Sequence, residues 1–191
     1  MKGYKTGSYW RKRTDLLYYQ YMRYMIRCIG VNAGSIIDVG SGNAPYLEWF
    51  DWIPEKVSVD LDVPYSSDTV KPITGNILDL SFDRKYDVCT CLQVLEHVPD
   101  PAPFARRLFD LSDLVLISVP HKWPAGSVKS HVNDPVDLGD VERWFGRKPN
   151  YNLIVREPFQ GRKGERLFAL FDVLEPTKLY GREIRAQRRP L

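Results

Sequence analysis

Cysteine is scarce in this chain of 191 residues, with only Cys28, Cys89 and Cys91. The number is odd and two of the three sit in an apolar strand pattern, where thiols behave as small hydrophobes, so a disulfide framework or zinc centre is a poor reading. Long apolar runs are missing too. Nothing approaches the roughly 18 residues of a membrane span, and Met1 to Arg13 is basic and aromatic without a signal-peptide core. A soluble, cytoplasmic protein with no membrane partner is expected. Charge of one sign is also in short supply: 27 Lys and Arg stand against 24 Asp and Glu. So mild an excess, much of it in Arg182, Arg185, Arg188 and Arg189, excludes nucleic acid as the expected partner and reads as a solvated basic tail.

What is present is an ordinary core, 43% hydrophobic and 27% charged, in a length suited to one domain. Thr14 offers an N-cap to a helix carrying Leu17, Tyr21, Tyr24, Met25 and Cys28 at helical intervals and ending near Gly30. Ser35 to Val39 is a strand that runs into Gly40-Ser41-Gly42-Asn43-Ala44-Pro45, followed by the helical pattern Tyr46, Leu47, Trp49, Phe50. Further strands are expected at Lys56–Leu61, Val70–Asn76, Tyr86–Cys91 and Leu114–Val119, with a helix over Pro103–Leu111. Asp134-Pro135 has the form of an N-cap and N1 proline for a helix bearing Val136, Leu138, Val141, Trp144 and Phe145 and closed by Gly146. Tyr151–Arg156 and Leu167–Leu174 flank a glycine-containing turn and read as a hairpin. Apolar strands alternating with helices mean an α/β, doubly wound, mostly parallel sheet of seven strands with a C-terminal antiparallel hairpin. The expected division is a helical aromatic and basic segment (1–33), a core (34–176) and the tail (177–191).

A glycine turn between the first strand and the next helix lets backbone approach a ligand at the carboxyl edge of the sheet, a role that Gly40 and Gly42 fit. As a dinucleotide fingerprint the turn is defective, because Pro45 stands where the third glycine would be. Asp60 ends the second strand, where a carboxylate could take both ribose hydroxyls of a nucleoside. Its alternative is a strand-end acid capping a loop.

Taken together, Ile36-Ile37-Asp38-Val39-Gly40-Ser41-Gly42, Val57-Ser58-Val59-Asp60-Leu61 and Tyr86-Asp87-Val88 through Val94-Leu95-Glu96-His97-Val98-Pro99 resemble the class I S-adenosylmethionine-dependent methyltransferase family. The resemblance spans roughly Gly34 to Pro120 and implies a Rossmann-like sheet. It implies that Asp38 and Gly40, with Gly42, hold the amino acid part of the cofactor, and that Asp60, with Leu61 beside it, holds the ribose. Asn76 and Ile77 would border the adenine, Leu92 and Gln93 would line the sulfonium, and His97 would support the cofactor. The chain departs from the family pattern at Asn76, where an acid is commoner, and at Ala44, where a third glycine is.

Methyl transfer needs positioning and, for a hydroxyl acceptor, a base. His121, just past the fifth strand, and His131, in the following loop, are the candidates. With Asp134 and Asp137 they also form a donor set for a divalent ion such as Mg²⁺. The acceptor pocket must come from Tyr4, Tyr9, Trp10, Arg11, Tyr18, Tyr19, the His121–Asn133 loop with Trp123, or a second subunit of a homodimer. Aromatic faces with polar groups between them suit a sugar, and the arrangement from Val119 to Glu157 resembles small bacterial methyltransferases of polysaccharide building. A sugar or oligosaccharide hydroxyl is therefore the expected acceptor. Leu92-Gln93-Val94-Leu95 lacks the Asn or Asp, Pro-Pro and aromatic of nucleic acid amine methylases. The other readings are a different small-molecule or protein acceptor, a cofactor-binding partner subunit without activity, and a nicotinamide enzyme.

Overall fold

The apolar runs pair into one seven-stranded sheet. In a computed structural model describing residues 9, 10 and 13–190, the side chain of residue 162 apart, the strands are β1 (Ser35–Val39), β2 (Glu55–Asp60), β3 (Val70–Thr74), β4 (Val88–Leu92), β5 (Leu114–Pro120), β6 (Tyr151–Arg156) and β7 (Glu165–Asp172). Their order is β3-β2-β1-β4-β5-β7-β6. The first five are parallel, whereas β7 runs antiparallel to both β5 and β6. The chain reverses at β1, opening a crevice at the carboxyl ends of β1 and β4.

Strand periodicity sorts the core onto two faces. Ile37, Val39, Val115, Ile117, Leu167, Ala169 and Phe171 point to α2 (Pro101–Leu111) and α3 (Leu138–Phe145). Ile36, Leu116, Phe168 and Leu170 point to α1 (Leu17–Ile29), with Met22 and Ile26 fully buried against them. Burial of each such side chain contributes about 1.5–3 kcal/mol. Among the described residues no helix is long and apolar enough to cross a membrane.

Local structure departs from expectation at three places. The segment after the glycine turn is a short 3₁₀ helix, Pro45–Trp49, rather than an α-helix. α1 takes no cap from Thr14; the first two amides, of Leu17 and Tyr18, donate to the carboxylate of Glu157 at 3.0 and 2.9 Å across the fold. α3 starts later than Asp134-Pro135 suggests, because Asp137 is its N-cap. Asp137 Oδ1 accepts from Gly139 and Asp140, and Asp140 returns a bond to the Asp137 amide. Asp134 is committed elsewhere.

In the tail, α4 (Arg182–Ala186) leaves Arg182, Arg185 and Arg188 exposed. Arg189 instead lies against Trp52 at 5.5 Å and donates to the Val31 carbonyl at 2.8 Å, while its own carbonyl accepts from Arg27.

Candidate active site

A cleft of about 850 Å³ opens at the carboxyl edge of the sheet. One end is built from the β1 turn. Gly40 has φ +76 and donates to the Val59 carbonyl, and Gly42 has φ +52. A Cβ on Gly40 would stand 2.3 Å from Val94 Cγ2, so glycine is required here by the chain's own packing as well as by any ligand. Ser41 Oγ lies 2.6 Å from Ser58 Oγ, which ties the turn to β2.

Asp60 reaches the cleft from the end of β2. Its Oδ2 accepts from Gly42 N at 2.9 Å, and its Oδ1 accepts from Asp62 N at 2.9 Å and Val63 N at 3.0 Å. A carboxylate has about four acceptor positions, so one is left for a ribose hydroxyl, where two contacts were expected. The loop-capping reading of this acid is realised, and the position left over faces the cleft. Leu61, Asn76, Ile77, Leu92, Gln93 and His97 also line the cleft. Asn76 accepts from Leu78 N through Oδ1 and donates to Asp79 through Nδ2. Gln93 is a non-glycine residue at φ 58, a strained conformation fastened to β5 by Gln93 N to Ser118 O at 2.8 Å and Nε2 to Ser118 Oγ at 3.1 Å.

Asp38 does not line the cleft; it is 1% exposed beneath it. Its Oδ1 accepts from Thr90 Oγ1 at 2.7 Å, and Oδ2 is buried without a hydrogen bond of good geometry. Burial pushes its carboxyl up to about 7, opposed by the Tyr46 and Thr90 hydroxyls and reinforced by the charge of Asp60.

The other end of the cleft gathers Tyr9, Trp10, Tyr18, Tyr19, Trp123, His131 and Arg166. Tyr4 and Arg11 lie outside the described residues. His131 Nδ1 is 2.6 Å from Asp134 Oδ2, and the ring stacks on Trp123 at 5.7 Å and 23°. Because a carboxylate only accepts, Nδ1 carries the proton of this bond, and in the neutral ring the lone pair is then on Nε2. The loop bearing this dyad is clamped to the motif turn: Asn133 Nδ2 donates to the carbonyls of Leu95 and Val98, and the amides of Val132 and Asn133 donate to that of Glu96.

His121 is placed differently. It is absent from the cleft wall, and its Nδ1 meets Glu165 Oε2 at 3.1 Å, in an ion cluster that Arg156 completes at the β5–β7 junction. The expected cation set of His121, His131, Asp134 and Asp137 therefore does not form, since Asp137 is spent on the α3 cap. Among the described residues the one grouping of three ligand atoms within 4.8 Å is Glu96, His97 and His131. Two imidazoles and a carboxylate suit a transition metal better than Mg²⁺. Burial also pushes Glu96 up to about 8, keeping it protonated and a poor ligand near neutrality.

The sequence offers Asp134 both as a helix cap and, with His131, as part of a cation set, and points to neither Asn133 nor Arg166; the three-residue spacing of His131 and Asp134 was the signal for the dyad. The residues present fit an adenosyl cofactor: left-handed glycines, an acid on the crevice with one free acceptor position, and an apolar wall of Ile77 and Leu92.

A family model described as a methyltransferase domain matches residues 9–150. No curated protein sequence matches significantly. Among solved structures, the chain is similar to the N-methyltransferase NodS from Bradyrhizobium japonicum in complex with S-adenosyl-L-homocysteine, with TM-score 0.69 and 11% identity over 89% of this chain and 94% of that one. It is also similar to a chain of the complex between the Trm112 methyltransferase activator and a methyltransferase from Haloferax volcanii, with TM-score 0.66 and 12% identity over 85% and 92%. A third is the 1,6-didemethyltoxoflavin-N1-methyltransferase of Burkholderia thailandensis, with bound S-adenosylhomocysteine, TM-score 0.55 and 16% identity over 86% and 84%.

Proposed function

The chain belongs to the methyltransferase-domain family and is an S-adenosylmethionine-dependent methyltransferase, and from that premise we propose that it methylates a hydroxyl of a sugar or oligosaccharide. The observation that carries this reading is the His131–Asp134 dyad on the cleft wall, Nδ1 and Oδ2 2.6 Å apart. When bound, the cofactor supplies a methyl carbon activated by the adjacent cationic sulfur. Gly40, Gly42 and Asp60 would position it at the β1 side, with Ile77 against the adenine and Leu92 and Gln93 near the sulfur.

What the chain must then add is orientation and a place for the acceptor's proton. Tyr9, Tyr19 and the edge of Trp123 line the wall against which the C–H patches of a sugar ring would pack. His131 Nε2 takes the hydroxyl proton as the oxygen attacks, and Asp134 holds the ring in the required tautomer and stabilises the resulting imidazolium.

The reading is tested by calorimetry with S-adenosylhomocysteine and with NAD, followed by transfer assays on saccharides. Only the former should bind. His131→Asn should lower the transfer rate on the order of 10²–10⁴-fold with S-adenosylhomocysteine affinity unchanged within about twofold, and chelation by EDTA should leave the rate unaltered. An unimpaired His131→Asn enzyme would remove the base, and transfer to amines alone would replace the hydroxyl by a nitrogen acceptor. Cofactor binding with no transfer to any acceptor would favour a partner subunit.

A further inference from the structure

Arg166 is the second residue of β7, paired with Pro120 at the end of β5, so the antiparallel strand carries its guanidinium to the carboxyl edge where the cleft lies. The residue is 4% exposed. The guanidinium is held between two aromatic rings, Tyr18 at 4.7 Å and Trp123 at 5.0 Å. Among the described residues its Nε is buried with no hydrogen-bond partner, and its only bond is a long one from Nη1 to the Lys163 carbonyl at 3.3 Å. No ion pair forms to it among the described residues. Glu157, whose charge acts on the guanidinium, spends both oxygens on the amides of Leu17 and Tyr18, and burial pushes the Glu96 carboxyl toward its neutral form. Arg13, stacked on Tyr9 at 4.3 Å, lines the same end of the cleft and adds a second positive charge.

A buried, unpaired guanidinium is costly, and the group that relieves it most effectively is an oxyanion that accepts two of its N–H bonds. We propose that Arg166, assisted by Arg13, anchors an acidic group, carboxylate or phosphate, carried by the methyl acceptor. The inference rests on the saccharide reading above and narrows it to acidic sugars.

Topology argues that this anion is not the cofactor's own carboxylate. The cofactor residues belong to β1, β2, β3 and the end of β4, whereas β7 lies three strand spacings from β1, about 14 Å. Arg166 is instead continuous with the base: guanidinium, Trp123 and His131 form one stack. A sugar lying against the edge of this stack would present its acid to Arg166 and a hydroxyl to His131.

The test is calorimetry with methyl glucuronide, glucose 1-phosphate and methyl glucoside, each in the presence of saturating S-adenosylhomocysteine. At least one acidic sugar should bind on the order of 10–100-fold more tightly than the neutral one, and which acid wins separates carboxylate from phosphate. In Arg166→Gln that preference should vanish while S-adenosylhomocysteine affinity stays within about twofold. Removing an unpaired buried charge should not lower the melting temperature; should this variant fail to fold, Arg166→Lys, which keeps the charge but loses the fork, should retain only part of the preference. Equal binding of all three sugars, or of none, overturns the proposal. So does a loss of S-adenosylhomocysteine affinity in Arg166→Gln, which would give the guanidinium to the cofactor. An acidic preference without methyl transfer to any hydroxyl would sink the O-methylation reading and leave the anchor standing.

Discussion

At the residue scale, single side chains here carry two duties at once. Asp60 binds three backbone amides and keeps one acceptor position toward the cleft. Asp60→Ala should weaken S-adenosylhomocysteine binding by about 1.5–3 kcal/mol, and it should also lower stability, because Gly42, Asp62 and Val63 lose their acceptor together. Calorimetry and a thermal melt read the two effects separately; unaltered affinity would remove the ribose from this position. Asp134 shows the reverse economy. It gives up the helix cap, which Asp137 provides, and orients His131 instead.

At the element scale, α1 is the piece that joins the aromatic wall to the sheet, and its N-terminus is held from the far end of the chain. The first two amides point at Glu157, 140 and 139 residues away, just beyond β6. A carboxylate there satisfies orphan donors and suits the positive end of the helix. Glu157→Ala should therefore cost about 1–3 kcal/mol of stability, measurable by urea unfolding. Because Tyr18 and Tyr19 sit in the same first turn and face the cleft, acceptor binding should fall as well. A stability unchanged within a few tenths of a kcal/mol would show that the cap is dispensable.

At the scale of the whole molecule, two carboxyls are buried above their ordinary range, Asp38 at about 7 and Glu96 at about 8, chiefly through burial. The folded chain keeps protons that the unfolded chain releases near 3.8 and 4.5. Their contribution to stability is thus fully present below those values and is lost as the pH rises to about 7 and about 8. The melting temperature of the protein without ligand should fall between about pH 5 and pH 8, and Glu96→Gln should flatten that slope. The opposite trend, a melting temperature that climbs through this window, would show that the two acids are ionised in the folded protein. At lower pH, acids with depressed values such as Glu165, held down mainly by its bonds to His121 and Arg156, act in the reverse sense.

The sheet and the glycine-turn end of the cleft were legible in the linear order of residues, because their causes are local. Alternating apolar strands, glycine at Gly40 and Gly42, and an acid at the end of β2 follow from backbone sterics and the period of the strand. Element ends were less legible: β2 and β7 each begin before the expected residue, since pairing with neighbouring strands sets their limits. The choice between the two histidines could not be read this way. Whether His121 or His131 reaches the cleft depends on which carboxylate lies beside it, and Glu165 and Asp134 decide that through contacts across the β5–β7 junction and within a clamped loop. Arg166 shows the same limit: on the sequence it is one cation in a strand, and only the packing of Tyr18 and Trp123 around it makes it a buried charge without a partner. Local sterics and periodicity belong to the sequence alone, whereas burial and the pairing of charges are properties of neighbours that only the folded chain brings together.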